Sequence, residues 1–293
     1  MNTRSLSLFR RSLFLLALFC LPIAAQAAKP IPGHMAVEGE LYISEEAAAQ
    51  ADDYQLEMCR LDLYVPDDVK DFPTVIWLHG GGLTGGKRCI PRDLKDKGLG
   101  VVGVEYRLSP QADLPAFLED AAAATAWVLD NIAKYGGDPN KVFISGHSAG
   151  GYLAAMVGMD PRWLAQYGHQ PNDLAGVIPC SGQMSTHFTV KKLRGDTEPQ
   201  WRIVVDEYAP FTHASKDLPP ICLILGDRYL DYPNRTVEND LLATSLRNLG
   251  HPHVEFYELK GLNHGSMARA QFVIIPEFIE RVLNGDPPPK GQI

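Results

Sequence analysis

The stretch KVFISGHSAGGYLAAMVG, residues 141–158, places one serine between two glycines where an apolar run gives way to a helix-like pattern. In so sharp a turn, a side chain at Gly146 or Gly150 would collide with the neighbouring strand or helix. A turn of this kind pushes Ser148 out of the sheet, which is typical of a catalytic nucleophile. Taken alone, the stretch also allows a small polar residue in a tight turn.

Short apolar runs alternate with helical patterns along most of the chain. The runs predict strands at 56–66, 74–80, 100–106, 141–146, 176–182, 221–227 and 254–260, and the helical patterns lie at 115–135, 149–159, 234–249 and 266–284. This alternation predicts an α/β fold, in which a mostly parallel central sheet is flanked by helices on both faces. In such sheets ligands bind at the carboxyl ends of the strands, so catalytic residues should follow strands directly.

Residues 1–27 differ from the rest of the chain and predict a signal peptide. Arg4, Arg10 and Arg11 precede an apolar run that is shorter than the roughly 20 residues of a membrane-spanning helix. We therefore expect export to the periplasm or the medium, without a stable membrane anchor. Cleavage would change the net charge from −8 to −11, because the segment holds three basic residues and no acid, and such acidity disfavours nucleic acid as a partner.

The remaining chain is predicted to form one domain with two short flanks. A chain of 293 residues, of which 45% are hydrophobic, suits a single globular domain. We predict a lead-in at 28–55, the α/β domain at 56–284 and a solvated tail at 285–293. Within the domain, residues 183–218 have mixed polarity and no period, which predicts a small cap-like excursion over the carboxyl edge of the sheet.

Four cysteines lie beyond the predicted signal peptide: Cys59, Cys89, Cys180 and Cys222. Cys180 and Cys222 belong to apolar strand patterns, which is typical of buried free thiols. Export would also allow one disulfide, whose pairing the spacing does not choose, and both possibilities stay open. The sequence contains no Cys-x-x-Cys pattern of a metal site, and we predict no metal.

A second glycine-rich motif, HGGG at residues 79–82, follows the strand predicted at 74–80. Three consecutive glycines let the backbone approach a substrate without side chains in the way. Their N–H groups could then hold the negative charge of a tetrahedral intermediate, as in an oxyanion hole. The alternative is an ordinary flexible turn.

A general base and an acid are expected at the same edge of the sheet. His264 follows the last predicted strand and lies in the serine, acid, histidine order that is typical of this serine turn. The turn GDRYLDYPNR, residues 226–235, offers two carboxylates, Asp227 and Asp231, that could orient the histidine.

Five motifs in this order resemble the hormone-sensitive-lipase branch of the α/β hydrolases, especially its bacterial carboxylesterases. They are HGGG (79–82), EYRLSP (105–110), LEDAAAATAWV (118–128), YGGDPNKVFISGHSAGG (135–151) and GLNHGS (261–266). The resemblance implies an α/β-hydrolase fold and the hydrolysis of carboxylic esters by a Ser-His-Asp triad, without a metal or organic cofactor. It also makes Ser148 the nucleophile and His264 the base, and it assigns the oxyanion-hole N–H groups to Gly81, Gly82 and Ala149.

The acid departs from the pattern of these relatives, because Tyr229 stands where they usually carry it. If the turn is two residues longer than usual, Asp231 takes that role, and Asp227 is the alternative. The family includes esterases of acetylated or feruloylated plant polysaccharides, which implies a short-chain or carbohydrate-linked ester as substrate. Two other functions stay open: a serine peptidase or amidase of the same fold, and a non-catalytic binding protein.

Overall fold

The structure, a computed structural model, describes residues 33–289. The predicted signal peptide at 1–27 and the last four residues of the predicted tail lie outside this range. Within residues 33–289, no helix is long and apolar enough to cross a membrane.

Eight strands form one sheet in the order β1-β2-β4-β3-β5-β6-β7-β8. β1 pairs antiparallel with β2 and β2 with β4, whereas the pairs from β4 through β3 to β8 are parallel. The predicted mostly parallel sheet is therefore confirmed. The strands are β1 His34–Leu41, β2 Arg60–Pro66, β3 Phe72–Leu78, β4 Gly100–Val104, β5 Gly137–His147, β6 Gly176–Cys180, β7 Ile221–Gly226 and β8 Val254–Leu259.

Helices cover both faces of the sheet because its strands are apolar on both sides. In β3, Ile76 and Leu78 belong to a core that includes side chains of α3, α4 and α7, while Val75 and Trp77 face a second core built with α8. The α-helices are α1 Glu45–Ala48, α2 Asp53–Met58, α3 Ala116–Asn131, α4 Ala149–Met159, α5 Pro161–Ala165, α6 Phe188–Leu193, α7 Arg235–Asn248 and α8 Met267–Asn284.

The amino-terminal part of the described chain differs from the prediction. Residues 34–41, which the sequence placed in a lead-in before the domain, form β1 and extend the same sheet. The predicted strand at 56–66 is wrong over its first four residues, because the first three end the helix α2 and Cys59 caps it. The Asp52 side chain caps that helix by accepting the Gln55 N–H at 2.7 Å.

The excursion at 183–218 contains α6 and a short 3-10 turn at Pro210–His213 but little other regular structure. Two side chains hold it. The Glu238 carboxylate at the start of α7 accepts the N–H groups of Met184 and Ser185, each at 3.0 Å. The buried Lys191 ammonium donates to the carbonyl oxygens of Gln200 and Arg202, at 2.9 and 2.5 Å. These hydrogen bonds hold the segment in place, although it forms no sheet of its own.

A buried ion pair joins β8 to α8, the two elements on either side of His264. Glu255 has no exposed side-chain surface, and its Oε2 lies 2.7 Å from Nη2 of Arg281. Burial acts to raise the pKa of the Glu255 carboxyl, but hydrogen bonds from His253, Arg281 and Tyr257 outweigh it and lower the pKa to about 2. The carboxylate is therefore charged and depends on these donors.

Replacing Arg281 by methionine should destabilise the fold by about 3 kcal/mol, because the buried Glu255 charge would lose its cationic partner. Urea denaturation followed by circular dichroism measures this loss. As a matched control, Lys216→Met removes an exposed cation that lies 2.7 Å from Asp217, and it should cost less than about 1 kcal/mol. Equal losses in the two variants would contradict a structural role for the buried pair.

Candidate active site

Ser148 lies at the junction of β5 and α4 in a strained backbone conformation. Its φ of 59° and ψ of −116° are outside the regions that non-glycine residues usually adopt. The Ser148 N–H donates to the Cys180 carbonyl at 2.8 Å, and its own carbonyl accepts the Tyr152 N–H at 3.0 Å. Strain of this kind is kept only where neighbouring contacts hold it, and it is concentrated at functional sites.

The two glycines beside Ser148 are required by close contacts. A Cβ added to Gly150 would lie 2.0 Å from the carbonyl oxygen of Leu78, at the end of β3. A Cβ added to Gly146 would lie 2.5 Å from the backbone of Gly150 and 2.6 Å from the same Leu78 oxygen. Only hydrogen fits at either position, as the sequence predicted.

The HGGG loop follows β3 directly and lies next to the serine turn. Gly81 and Gly82 have φ values of 125° and 65°, which favour glycine. His79 is buried beneath the loop, where its Nε2 lies 2.7 Å from Glu105 Oε1 and its ring stacks on Tyr106 at 4.3 Å. The loop is also held by α6, because the Thr189 hydroxyl of that helix donates to the Gly82 carbonyl at 2.5 Å.

His264 lies in the loop between β8 and α8 and points its Nδ1 at Asp231. The distance from Nδ1 to Asp231 Oδ1 is 2.8 Å. The imidazole packs against Tyr232 at a centroid distance of 4.1 Å and against His147 at 4.7 Å. With Nδ1 engaged by the carboxylate, Nε2 is the nitrogen left to accept a proton.

The structure separates the two candidate acids. Asp227 accepts the N–H groups of Tyr229 and Gly261 at 2.9 and 2.8 Å, so it joins the turn after β7 to the loop after β8. These two hydrogen bonds lower the pKa of the Asp227 carboxyl. Asp231 is the carboxylate that contacts His264, and its side chain is fully buried.

Asp231 stays ionised despite its burial. Burial acts to raise the pKa of its carboxyl, but hydrogen bonds from His264, Ser181 and the Tyr232 N–H outweigh it and lower the pKa to about 2. A permanently charged carboxylate beside Nδ1 favours a proton on that nitrogen and stabilises an imidazolium.

A cavity of about 520 Å³ brings these elements together. It is lined by Gly80, Gly81, Gly82, Thr84, His147, Ser148, Phe188, Tyr232 and His264. Two aromatic rings, Phe188 and Tyr232, form part of its wall, and Trp201 connects them by packing at 5.5 and 5.1 Å from their ring centres. A larger cavity of about 670 Å³ lies against α3 beside Arg107 and Trp127, and none of the predicted site residues line it.

Several contacts at this site involve residues to which the sequence analysis gave no role. Glu105, Ser181 and Tyr232 touch His79 of the HGGG motif or His264, and Phe188 lines the cavity beside them. Ser181 carried no sequence signal, because the strand predicted at 176–182 included it, whereas β6 ends at Cys180. Phe188 carried none, since its position depends on the path of an irregular segment.

Neither a metal centre nor a disulfide is found in the described part of the chain. No group of three or more histidine, cysteine or acidic side chains in residues 33–289 could hold a metal ion. Cys59, Cys180 and Cys222 are buried free thiols, while Cys89 is an exposed one. This arrangement favours the first of the two possibilities that the sequence left open for the cysteines.

Comparisons with known proteins agree with this architecture. The BD-FAE family model matches residues 61–233. The chain is similar to the esterase LipC of Mycobacterium tuberculosis, at 25% identity over 228 residues that cover 70% of this chain and 56% of that protein. It is also similar to the carboxylesterase NlhH of the same organism, at 39% identity over 101 residues, 32% of each chain. The chain thus spans about a third to just over half of the length of these two relatives.

Two solved structures show the same fold. A truncated carbohydrate esterase from gut microbiota aligns with a TM-score of 0.67 at 19% identity, covering 88% of this chain and 99% of that chain. An esterase from Pyrobaculum calidifontis aligns with a TM-score of 0.60 at 25% identity, covering 77% of this chain and 81% of that chain. The predicted α/β-hydrolase fold is therefore confirmed.

The contrast between the two aspartates gives a direct test. Asp231→Asn should slow the labelling of Ser148 by a fluorophosphonate about ten-thousand-fold, because the amide would favour the wrong tautomer of His264. Asp227→Asn should slow it less than about tenfold and should mainly lower stability, by about 1 to 2 kcal/mol. Labelling is followed by mass spectrometry, with the folded fraction of each variant checked by circular dichroism. The opposite ranking at equal folded fraction would assign the histidine partner to Asp227.

Proposed function

The chain belongs to the BD-FAE family, and we propose that it is a carboxylic-ester hydrolase with Ser148 as its nucleophile. The observation that carries the proposal is the single cavity lined by Ser148, by the glycine loop and by His264. His264 is in turn paired with the buried Asp231. A serine, a base, an orienting acid and a glycine-rich loop beside them are the parts that acyl transfer requires.

In the first half of the reaction, Nε2 of His264 takes the proton of Ser148 while the hydroxyl oxygen attacks the ester carbonyl. The carbonyl oxygen becomes an oxyanion, which the backbone N–H groups of Gly81, Gly82 and Ala149 stabilise. Each such donor is typically worth about 3 kcal/mol. His264 then gives the proton to the departing alcohol, and an acyl-enzyme remains.

In the second half, water attacks the acyl-enzyme. His264 takes a proton from the water and returns it to Ser148 as the acid leaves, so the enzyme is regenerated. Asp231 holds the imidazole with Nε2 toward Ser148 in both halves. Apart from the attacking water, the proposed chemistry uses only groups of the chain and needs no redox step.

For the substrate, we propose a short-chain ester or a carbohydrate-linked acetyl or feruloyl ester. The support is the wall of the cavity, where Phe188 and Tyr232 offer aromatic faces to a ring or a small acyl group. The likeness to a carbohydrate esterase from gut microbiota supports the carbohydrate-linked part of this proposal. Export of the enzyme remains a prediction from residues 1–27, which N-terminal sequencing of the mature protein would check.

Purified protein should hydrolyse p-nitrophenyl acetate, methyl ferulate or acetylated xylan faster than long-chain p-nitrophenyl esters. The reason is the small cavity, whose volume of about 520 Å³ suits a compact acyl group. Ser148→Ala should remove nearly all of this activity, with a loss in kcat of roughly a million-fold as in comparable triads.

The same assay distinguishes the alternatives. Turnover of dipeptide amides without turnover of esters would indicate a peptidase or amidase. Absence of both turnover and fluorophosphonate labelling would indicate a binding protein. A folded Ser148→Ala variant that kept a tenth of the activity would rule out the proposed nucleophile.

The dependence of kcat/KM on pH follows from the charges in the site. Asp231, whose pKa is lowered to about 2, stays ionised above pH 4. Burial and the neighbouring His264 lower the pKa of His147 to about 4, so His147 is neutral above about pH 5. Neither group changes its charge between about pH 5 and 8, so neither should contribute an ionisation to the profile of kcat/KM in that range.

A stopped-flow or plate assay over this range measures the profile, and EDTA should not change it. Assignment of an ionisation between about pH 5 and 8 to Asp231 or to His147 would contradict this expectation. Loss of activity in EDTA that a divalent metal restores would contradict the metal-free mechanism.

A further inference from the structure

Ser181 is a fully buried serine that directly follows β6 at the carboxyl edge of the sheet. Its φ of 44° lies in the left-handed region, which is unusual for a residue with a side chain. Its N–H donates to the Ile224 carbonyl of β7 at 2.8 Å. Its carbonyl accepts a hydrogen bond from the guanidinium of Arg235, which is itself 1% exposed. Contacts on both sides thus fix the backbone that carries the hydroxyl.

The hydroxyl of Ser181 lies between the two groups that control the proposed base. Its Oγ is 2.8 Å from Asp231 Oδ2 and 3.0 Å from His264 Nδ1. An ionised carboxylate can only accept hydrogen bonds, so the hydroxyl hydrogen must go to Asp231. The lone pairs of Oγ then face Nδ1. They can accept a hydrogen bond from Nδ1 only if this nitrogen carries a hydrogen.

The Asp231 carboxylate is fully occupied in this arrangement. Oδ1 accepts from His264 Nδ1 at 2.8 Å and from the Tyr232 N–H at 2.7 Å. Oδ2 accepts from the Ser181 hydroxyl at 2.8 Å and from the Gly226 N–H at 3.0 Å. Four donors fill the four lone-pair positions of a carboxylate, and the carboxylate cannot rotate without breaking several of these bonds.

We propose that Ser181 is a positioning residue of the active site, which holds the Asp231 carboxylate in place and gives the Nδ1 hydrogen of His264 a second acceptor. The inference rests on the proposed function and deepens it. Two oxygens, rather than one, then keep the hydrogen on Nδ1 and leave Nε2 free to take the proton of Ser148. Ser181 itself touches neither substrate nor the reacting atoms.

The variant Ser181→Gly tests this role. Glycine accepts the positive φ, so the backbone is not strained by the change, while the hydroxyl is lost. We expect kcat on p-nitrophenyl acetate to fall about 10- to 100-fold with KM unchanged, the size expected for losing a hydrogen bond to a charged group. The control Thr125→Val removes another fully buried hydroxyl, which donates to Ala121 in α3 at 2.7 Å, and it should leave kcat within about twofold.

A double-mutant cycle separates positioning from a merely structural effect. If Ser181 acts through Asp231 and His264, adding Ser181→Gly to Asp231→Asn should cost less than about threefold more in kcat. An equal loss in both backgrounds, or an unchanged kcat in the single variant, would overturn the inference. Should Ser181→Gly fold poorly, Ser181→Ala is measured in the same cycle per folded molecule.

Failure of this inference differs from failure of the proposed function. If Ser148→Ala is inactive while Ser181→Gly keeps the wild-type kcat, only the role of Ser181 is refuted. An active Ser148→Ala variant would refute the proposed function itself.

Discussion

The close approach of α4 to the end of β3 at Gly150 constrains the rest of the site. A Cβ at this glycine would lie 2.0 Å from the Leu78 carbonyl oxygen, so α4 can begin beside β3 only because no side chain is present. That closeness forces the sharp turn at Ser148. It also places the serine next to the glycine loop, since that loop continues from Leu78 itself. Ser148 and the glycine loop are thus neighbours because of this contact.

Parallel strands bring the other groups to the same edge. The glycine loop follows β3, Ser148 follows β5, Ser181 follows β6, Asp231 follows β7 and His264 follows β8. Because these strands are neighbours in the sheet, their carboxyl ends lie side by side and each turn contributes one group.

Local patterns predicted much of this architecture, and contacts between distant residues account for the remainder. The strands of the parallel sheet are short apolar runs, and the serine turn has its own glycine pattern, so both could be found in the sequence. β1 could not, because only one edge of it pairs with the sheet and its side chains are mostly exposed or half-buried. The roles of Asp227 and Asp231 depend on the path of one turn, and a lone serine such as Ser181 has no pattern at all.

The excursion at 183–218 rests directly on the glycine loop, and this has a consequence for enzyme engineering. The Thr189 hydroxyl donates to the Gly82 carbonyl, and the adjacent Phe188 lines the cavity together with that glycine. In the proposed ester hydrolase, shortening Phe188 to admit bulkier substrates would therefore also disturb the hydrogen bond by which Thr189 holds the glycine loop beside Ser148. Substrate range and turnover would be coupled through two consecutive residues, and an enzyme of broader range would need a second substitution that restores the rigidity of the loop.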